Sequence, residues 1–139
     1  MKLKSLILLF IGVISISCSS MKTLANGDVI DTKLVGVWEG SEDNKQEEGM
    51  SKQWVMTRNA NGTFVLDFKA QSEGKNLAFT ETGKWWIEEG KFYEFHKESG
   101  LTDVYEYTIL NKDQIKFKST KMALDMENSA YEFVDTRKK

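Results

Sequence analysis

Apolar and polar residues alternate along short segments from Leu34 to the end of the chain. The segments are rich in β-branched and aromatic residues and are separated by glycine or asparagine, a pattern typical of strands joined by tight turns. A helical period of 3.6 residues competes with this pattern only around Met122 to Met126. We therefore predict eight β-strands, over residues 34–40, 50–58, 63–70, 76–88, 91–98, 101–110, 114–119 and 129–136.

The glycine turns predict which residues of neighbouring strands face each other, because the loop length sets the register of a hairpin. Five such connections are predicted, around Gly62, Gly74, Gly90, Gly100 and Lys112. The predicted pairs include Arg58 with Phe64, Trp54 with Phe68, Phe68 with Phe79, Trp85 with Glu94, His96 with Asp103, Glu94 with Tyr105, and Tyr107 with Phe117.

In this register the large apolar residues fall on one face of the sheet, whereas the other face carries mostly Lys, Thr, Glu and Asp. An antiparallel meander with one apolar face and no helix to cover it can hide that face by closing into a barrel, which also removes its exposed edges. The predicted fold class is all-β, an eight-stranded antiparallel up-and-down barrel over residues 34–139. The predicted inner face includes Trp54, Met56, Phe64, Leu66, Phe68, Leu77, Phe79, Trp85, Ile87, Phe92, Tyr105, Tyr107, Ile109, Ile115 and Phe117.

The start of the chain has a different pattern, with lysines at positions 2 and 4 followed by an apolar run over residues 6–16. The run is shorter than the roughly 20 residues that cross a bilayer, and it is typical of an export signal. Residues 15–18, Ser-Ile-Ser-Cys, resemble the lipobox of bacterial lipoproteins, whose cysteine is acylated. We predict a cleaved signal peptide over residues 1–17 and lipidation of Cys18. An ordinary secretory leader is the alternative.

The residues after Cys18 bear on where such a lipoprotein resides. Residues 19–22, Ser-Ser-Met-Lys, lack aspartate and any acidic cluster, which by resemblance to sorting signals of Gram-negative lipoproteins implies the periplasmic face of the outer membrane. Residues 18–33 are mixed and polar and contain Gly27, so we predict a lipidated tether there. The expected partner is the membrane of the cell envelope, reached through acylated Cys18, and the expected state is a monomer. A protein partner is not identified by the sequence.

Composition limits the remaining possibilities. The chain has 139 residues, of which 40% are hydrophobic and 12% aromatic, with no proline, so one globular domain can follow the leader. Its 19 basic and 21 acidic residues are well mixed and give a net charge of −2. Without a basic stripe, nucleic-acid binding is not expected. A single cysteine allows no internal disulfide.

The first strand carries a motif that points to a family. Residues 34–38, Leu-Val-Gly-Val-Trp, contain Gly36 and Trp38 as the Gly-x-Trp that marks the first strand of lipocalins. With the eight-strand meander, the chain resembles the lipocalin-like domains of bacterial lipoproteins. That resemblance implies a closed or nearly closed barrel that binds small, mostly apolar ligands, with a basic residue packed over the tryptophan. Arg137 is the nearest match for that residue, and Trp38 is then more a structural plug than a ligand contact.

The register also places polar residues inside the barrel, with His96 and Asp103 in a row that crosses five strands. Ionisable groups in an apolar cavity are costly unless paired, so these should bond to one another, to water or to a ligand. Alternatively, the row lies at a solvated rim above a filled core. The candidate ligand-binding residues are Trp54, Arg58, Phe64, Phe68, Phe79, Glu81, Trp85, Glu94, His96, Asp103 and Tyr105.

Two functions fit these predictions. One is a lipid-anchored envelope protein that binds a small apolar or amphipathic ligand in its barrel; the other is a non-enzymatic interaction module with a filled barrel, acting as an inhibitor, assembly factor or structural partner. The outward aromatics Trp86, Tyr93 and Phe95 would form either a partner patch or a cross-strand cluster. His96 and Asp103 could form a general base, but no nucleophile motif accompanies them. We expect no enzyme, cofactor or metal, since one histidine without a cysteine is a poor ligand set.

Overall fold

The computed structural model describes residues 19–45, 47–121 and 131–139, and within them the chain is built from β-strands. Strands β3 to β10 form a closed antiparallel barrel in which neighbours in sequence are neighbours in the sheet, and β10 pairs with both β9 and β3. The predicted eight-stranded barrel is therefore confirmed. The strands are β1 (Met21–Thr23), β2 (Val29–Asp31), β3 (Gly36–Asp43), β4 (Met50–Arg58), β5 (Thr63–Ser72), β6 (Lys75–Glu88), β7 (Lys91–His96), β8 (Leu101–Asn111), β9 (Gln114–Lys121) and β10 (Glu132–Arg137).

Some of the predictions fall beyond these residues. The leader, Cys18 and the segment around Met122 to Met126 lie outside the described part of the chain. Within that part, no helix is long and apolar enough to cross a bilayer.

Tight turns with left-handed backbone set the barrel register. In the β5–β6 and β6–β7 turns both central residues have positive φ, 46° and 74° at Glu73 and Gly74, and 50° and 74° at Glu89 and Gly90. This backbone is that of a two-residue type I′ hairpin. The pairs predicted from these turns and from the β4–β5 and β8–β9 loops are observed, among them Arg58 with Phe64, Trp54 with Phe68, Phe68 with Phe79, Trp85 with Glu94, and Tyr107 with Phe117.

The β7–β8 register differs from the prediction by two residues. His96 pairs with Leu101 rather than Asp103, and Glu94 pairs with Asp103 rather than Tyr105. The cause is a loop of four residues instead of two, closed by a hydrogen bond from Gly100 N to His96 O of 2.8 Å. Because the shift is an even number of residues, every side chain keeps its predicted face.

The predicted tether is wrong over most of its length. Strands β1 and β2 form a hairpin, followed by a one-turn 3₁₀ helix at Thr32–Leu34. Ile30 and Leu34 are fully buried in the barrel core, and the Tyr107 hydroxyl donates to Asp31 at 3.1 Å. We call this end of the barrel the base; the opposite end carries the β3–β4, β5–β6 and β7–β8 loops. The hairpin thus packs on the base instead of spacing the domain from a membrane.

The barrel interior is filled at the base. Trp38, Trp85, Phe92 and Phe117 are each 1% exposed or less and form its tightest layer. Toward the opposite end, the inner face opens to solvent, and Leu77 is 56% exposed although its position in the pattern predicts that it faces the core. Its exposure follows from strand lengths, because β7 pairs only with residues 83–88 of β6 and leaves the start of β6 without that neighbour.

Candidate functional site

A cavity of about 310 Å³ occupies the barrel interior above the filled base. Aromatic and aliphatic side chains line one side, among them Trp54, Phe68 and Phe79. Polar side chains line the other. Nine of the predicted ligand-binding residues border the cavity, namely Trp54, Arg58, Phe68, Phe79, Glu81, Glu94, His96, Asp103 and Tyr105.

The other two predicted residues do not border it. Phe64 and Trp85 are 1% and 0% exposed and belong to the packed core. The Trp85 ring stacks on Phe92 with centroids 5.9 Å apart, so it supports the cavity floor from below. The sequence predicts both as ligand-binding residues, and both belong instead to the packed core.

His96 lies at the centre of the polar side, with three carboxyl groups around its ring. Its Nδ1 lies 2.8 Å from Glu81 Oε2, and its Nε2 lies 3.1 Å from Asp103 Oδ2 and 3.3 Å from Glu94 Oε1. Three adjacent strands bring these groups together, because Glu81 comes from β6, Glu94 and His96 from β7, and Asp103 from β8. The alternative of a solvated rim does not hold, since the His96 side chain is only 11% exposed.

The carboxyl groups keep the imidazole protonated. Burial alone lowers the pKa of His96, but the hydrogen bonds and charges of Asp103 and Glu94 outweigh it and raise the pKa from 6.5 to about 10. Burial, and the charges of the same two carboxylates, also raise the pKa of Tyr105 well above its usual value. The Tyr105 hydroxyl therefore stays protonated near neutral pH and donates to Asp103 at 3.4 Å.

Gly83 lies opposite His96 and is sterically required. A Cβ at this position would clash with the backbone oxygen of Phe95 and approach the Phe64 ring to 2.6 Å. Because Gly83 has no side chain, it leaves room beside the imidazole. The Phe64 ring takes that room, edge-on to His96 with centroids 5.5 Å apart. This contact fixes the plane of the imidazole from the core side.

Arg58 and Asp135 form a second polar group at the cavity floor. Arg58 Nη2 donates to Asp135 Oδ2 at 2.7 Å, and Trp54 Nε1 donates to Asp135 Oδ1 at 2.7 Å. The guanidinium carbon also lies 5.1 Å from the Phe92 centroid and 4.8 Å from that of Phe117, which is cation–π distance. Asp135 was missed by the sequence analysis. The alternation of residues 133, 135 and 137 along β10 is the signal that could have found it.

A third charged pair borders the cavity on its β4 side. Lys52 Nζ lies 3.3 Å from Glu42 Oε1, and the Tyr131 hydroxyl donates to Glu42 Oε2 at 2.6 Å. Burial and that hydrogen bond raise the pKa of Tyr131. The Lys52 ammonium is thus already neutralised where it meets the cavity.

The three candidate structural residues meet at the base. The Arg137 guanidinium carbon lies 4.1 Å from the Trp38 ring centroid, and Trp38 Nε1 donates to Leu34 O at 2.8 Å. A Cβ on Gly36 would come within 2.6 Å of Arg137 Nη1, so a glycine lets the guanidinium reach the ring. Trp38 is fully buried and lies away from the cavity.

Two other features could bind a ligand. Glu94, His96 and Asp103 offer atoms within 4.8 Å of one another, a spacing that a metal ion can bridge. A metal ion at Nε2 would have to displace the proton of the imidazolium, because a ligating imidazole is neutral. A wider groove of about 990 Å³ lies mostly along the outward faces of β3 to β6, where Gln53, Lys69 and other polar side chains line it. Such a polar, open surface lacks the enclosure of a small-molecule site.

Comparison with known proteins agrees with this geometry. A family model described as a lipocalin-like domain matches residues 34–117, which is more than half of the chain and runs from just before β3 into β9. Searches of curated proteins and of solved structures each found no match. A barrel of this family suggests small-ligand binding in general. The chain belongs to the lipocalin-like domain family.

Proposed function

We propose that this protein is a lipid-anchored component of the bacterial cell envelope that binds a small amphipathic ligand inside its barrel. The observation that carries the proposal is the interior cavity of about 310 Å³, with an aromatic wall facing a polar one. Ligand sites are typically cavities of about 300 to 1,000 Å³ with mostly apolar walls and a few convergent polar groups. A filled barrel, which the interaction-module alternative requires, would leave no such space.

The aromatic residues on the outer face of the barrel also favour ligand binding over an interaction module. The Trp86 and Tyr93 rings stack across β6 and β7 with centroids 5.3 Å apart and an interplanar angle of 19°, and both side chains are half-buried. Stacked cross-strand pairs stabilise a sheet. This supports a structural use of the pair over a partner patch.

The proposed role is binding without catalysis. A general base near neutral pH needs a free imidazole nitrogen. His96 has both ring nitrogens against carboxylates, and a pKa of about 10 keeps it protonated. The polar side of the cavity is thus suited to hold a ligand rather than to accept a proton from it.

Membrane attachment is proposed through acylated Cys18, after removal of residues 1–17. Ser20 O accepts a hydrogen bond of 2.8 Å from Thr32 N, so the chain leaves the barrel at its base. Lipid on a residue two positions earlier would hold the base against the bilayer and direct the cavity end away from it. We assign the protein to the periplasmic face of the outer membrane, as a monomer.

The anchor can be tested by expressing the full chain and its Cys18→Ser variant in a Gram-negative host. We expect the first chain in the outer-membrane fraction with an acylated N-terminal cysteine by mass spectrometry. The variant should appear in the soluble periplasmic fraction. Equal distribution of both chains would contradict the anchor and leave the cavity proposal intact.

Ligand binding can be tested with the Cys18→Ser chain, which needs no detergent that would compete for the cavity. We expect native mass spectrometry after gentle purification to show a bound small molecule. The variant Leu66→Phe, which adds volume on the cavity wall, should lose it, whereas Val65→Phe on the outer face should keep it. Equal retention by both variants would contradict binding in the cavity.

A further inference from the structure

The Arg58 guanidinium has more hydrogen-bond donors than partners. Its Nη2 donates to Asp135 Oδ2 at 2.7 Å, whereas Nε and Nη1 are buried and have no hydrogen-bond partner within the described part of the chain. These two nitrogens carry three of the five N–H groups of the side chain. The side chain is only 1% exposed, so bulk water does not compensate for the missing partners. Buried donors without an acceptor are costly and rare in folded proteins.

The immediate neighbours of the guanidinium do not supply the missing acceptor. The Phe92 and Phe117 ring centroids lie 5.1 and 4.8 Å from its central carbon, and these contacts stabilise its charge without offering an oxygen atom. Asp135 already accepts from Arg58 with one carboxylate oxygen and from Trp54 with the other. The acceptor therefore has to come from a group other than these neighbours.

The cavity is the space from which such an acceptor can reach the guanidinium, because Arg58 borders it at the floor. Two other buried side chains of the described structure have a polar atom without a hydrogen bond. Glu42 Oε1, however, lies 3.3 Å from Lys52 Nζ in an ion pair, and the Ser119 hydroxyl does not border the cavity. Arg58 is thus where unpartnered donors and the cavity coincide.

The charge of the guanidinium is already balanced, and this limits the chemistry of the ligand head. Arg58 and Asp135 form an ion pair in which each side chain is 1% exposed. A ligand carboxylate would add a second buried negative charge beside one positive charge, and a buried ion is costly unless it is compensated. An ammonium group would bring further donors to a place that lacks acceptors. An uncharged oxygen accepts the N–H groups without either cost.

We propose that the cavity binds an uncharged carbonyl compound with a short apolar tail, whose carbonyl oxygen accepts a hydrogen bond from Arg58. This inference rests on the proposed ligand-binding function and deepens it. The head lies at the cavity floor, and the tail lies along the aromatic wall of Trp54, Phe68 and Phe79. At about 30 Å³ per water, 310 Å³ corresponds to roughly ten water molecules. The matching ligand therefore has on the order of ten non-hydrogen atoms.

The test compares two probes of the same shape, 2-octanone and 2-methyl-1-octene, in which a methylene group replaces the carbonyl oxygen. Tryptophan fluorescence of the Cys18→Ser chain reports the binding of each probe, because Trp54 borders the cavity. The quantity of interest is the change in Kd when the donors of Arg58 are removed. Taking the change for each probe separately cancels the difference in hydrophobicity between them.

The donors are removed by combining Arg58→Met with Asp135→Asn. Both charges leave together, so no buried ion remains unpaired, and the Asn amide oxygen can still accept from Trp54. We expect the Kd of 2-octanone to rise about tenfold or more, as for the loss of a hydrogen bond to a charged group, and that of the alkene to stay nearly unchanged. Met56→Leu, a volume-conserving change on the same cavity wall, is the control and should leave both Kd values unchanged. Thermal melts by circular dichroism verify that the variants are folded.

Infrared spectroscopy tests the hydrogen bond in the Cys18→Ser chain itself, before any change at Arg58. The probe is 2-octanone labelled with carbon-13 at the carbonyl. A hydrogen bond from the guanidinium weakens the C=O bond, so the bound carbonyl should absorb at a lower frequency than in hexane. The double variant should lose this shift.

Carbon-13 NMR of octanoic acid labelled at the carboxyl carbon tests the preference for an uncharged head. If the floor favours a neutral acceptor, the bound acid keeps its proton to a higher pH than the free acid does. We therefore expect binding to raise the pKa of the octanoic acid carboxyl group above its value in water.

The outcomes separate the inference from the function on which it rests. An equal change in Kd for the ketone and the alkene in the double variant would overturn the role of Arg58 and leave ligand binding standing. A carbonyl frequency like that in hexane, or a shift that persists in the double variant, would also overturn it. A lowered pKa of the bound acid would overturn the preference for an uncharged head. Failure of every probe to bind the folded chain would count against the cavity function itself.

Discussion

Arg58 and Asp135 form an ion pair across the inside of the barrel, with Nη2 and Oδ2 2.7 Å apart and each side chain 1% exposed. The pair joins β4 to β10, which are separated by β3 in the barrel. Asp135 also accepts a hydrogen bond from Trp54, so one carboxylate ties the cavity wall to the last strand. It therefore supports both the closure of the barrel and the floor of the cavity.

Replacing Asp135 with Asn should destabilise the protein strongly. The substitution keeps the side-chain shape but leaves the Arg58 guanidinium as an uncompensated buried charge, which typically costs about 3 to 5 kcal/mol. Urea unfolding followed by tryptophan fluorescence measures the loss. Asp113→Asn is the control. Asp113 forms an ion pair with Arg137 at 3.8 Å in which both side chains are about one-third exposed, and exposed ion pairs contribute about 0 to 1 kcal/mol to stability. Similar losses in the two variants would contradict the assigned role.

Replacing Arg137 with Met should destabilise the protein by weakening the packing at the base of the barrel. The guanidinium lies over the Trp38 ring and also donates to the carbonyls of Val35 and Lys112. We expect a loss of about 1 to 3 kcal/mol from the cation–π contact and these hydrogen bonds. Arg137→Lys should not restore it fully, since an ammonium lacks the planar fork of donors. Lys138→Met, at an exposed position, serves as the control, and an equal effect there would refute the prediction.

The strand register was predictable wherever turn chemistry is restrictive. Glu73-Gly74 and Glu89-Gly90 both adopt positive φ, so only one alignment of each hairpin is favourable. The β7–β8 connection was not fixed in this way. A four-residue loop ending at Gly100 and a two-residue turn differ by two residues, and both keep the same side chains inside. Alternation alone cannot distinguish them.

The site residues that were predictable are those that the alternating pattern places on the inner face of the barrel. Glu81, His96 and Asp103 come together even with the register shift, because a diagonal contact still joins His96 to Asp103 at 3.1 Å. Asp135 was not predicted because no recognisable turn precedes β10 to set its register. The hairpin of β1 and β2 was not predicted because strands of three residues are too short for a period of two to be recognised.

The packing of that hairpin gives a third prediction. Ile30→Ala should cost about 2 to 5 kcal/mol, because Ile30 is fully buried and the substitution leaves a cavity in the core. A flexible tether at this position would give almost no loss. Met21→Ala, at an exposed position of β1, is the matched control and should change stability by less than about 0.5 kcal/mol. Urea unfolding of both variants in the Cys18→Ser chain distinguishes a packed hairpin from a tether.

Stability should also depend on pH through His96. The groups that face its ring are Glu81, Glu94 and Asp103, with Tyr105 bonded to Asp103. The pKa of His96 is raised from 6.5 to about 10 in the folded state. The folded state therefore binds the proton more tightly than the unfolded one. This contribution is complete below pH 6.5 and is lost as the pH rises toward 10.

The corresponding measurement compares urea unfolding of the parent chain and of His96→Gln across this pH window. Lysine and tyrosine side chains titrate near its upper end in both proteins, so the difference between the two isolates the imidazole. We expect the parent to lose on the order of 3 kcal/mol more than the variant as the pH rises from 6.5 to 10. Parallel pH profiles would mean that the three carboxylates do not hold an imidazolium.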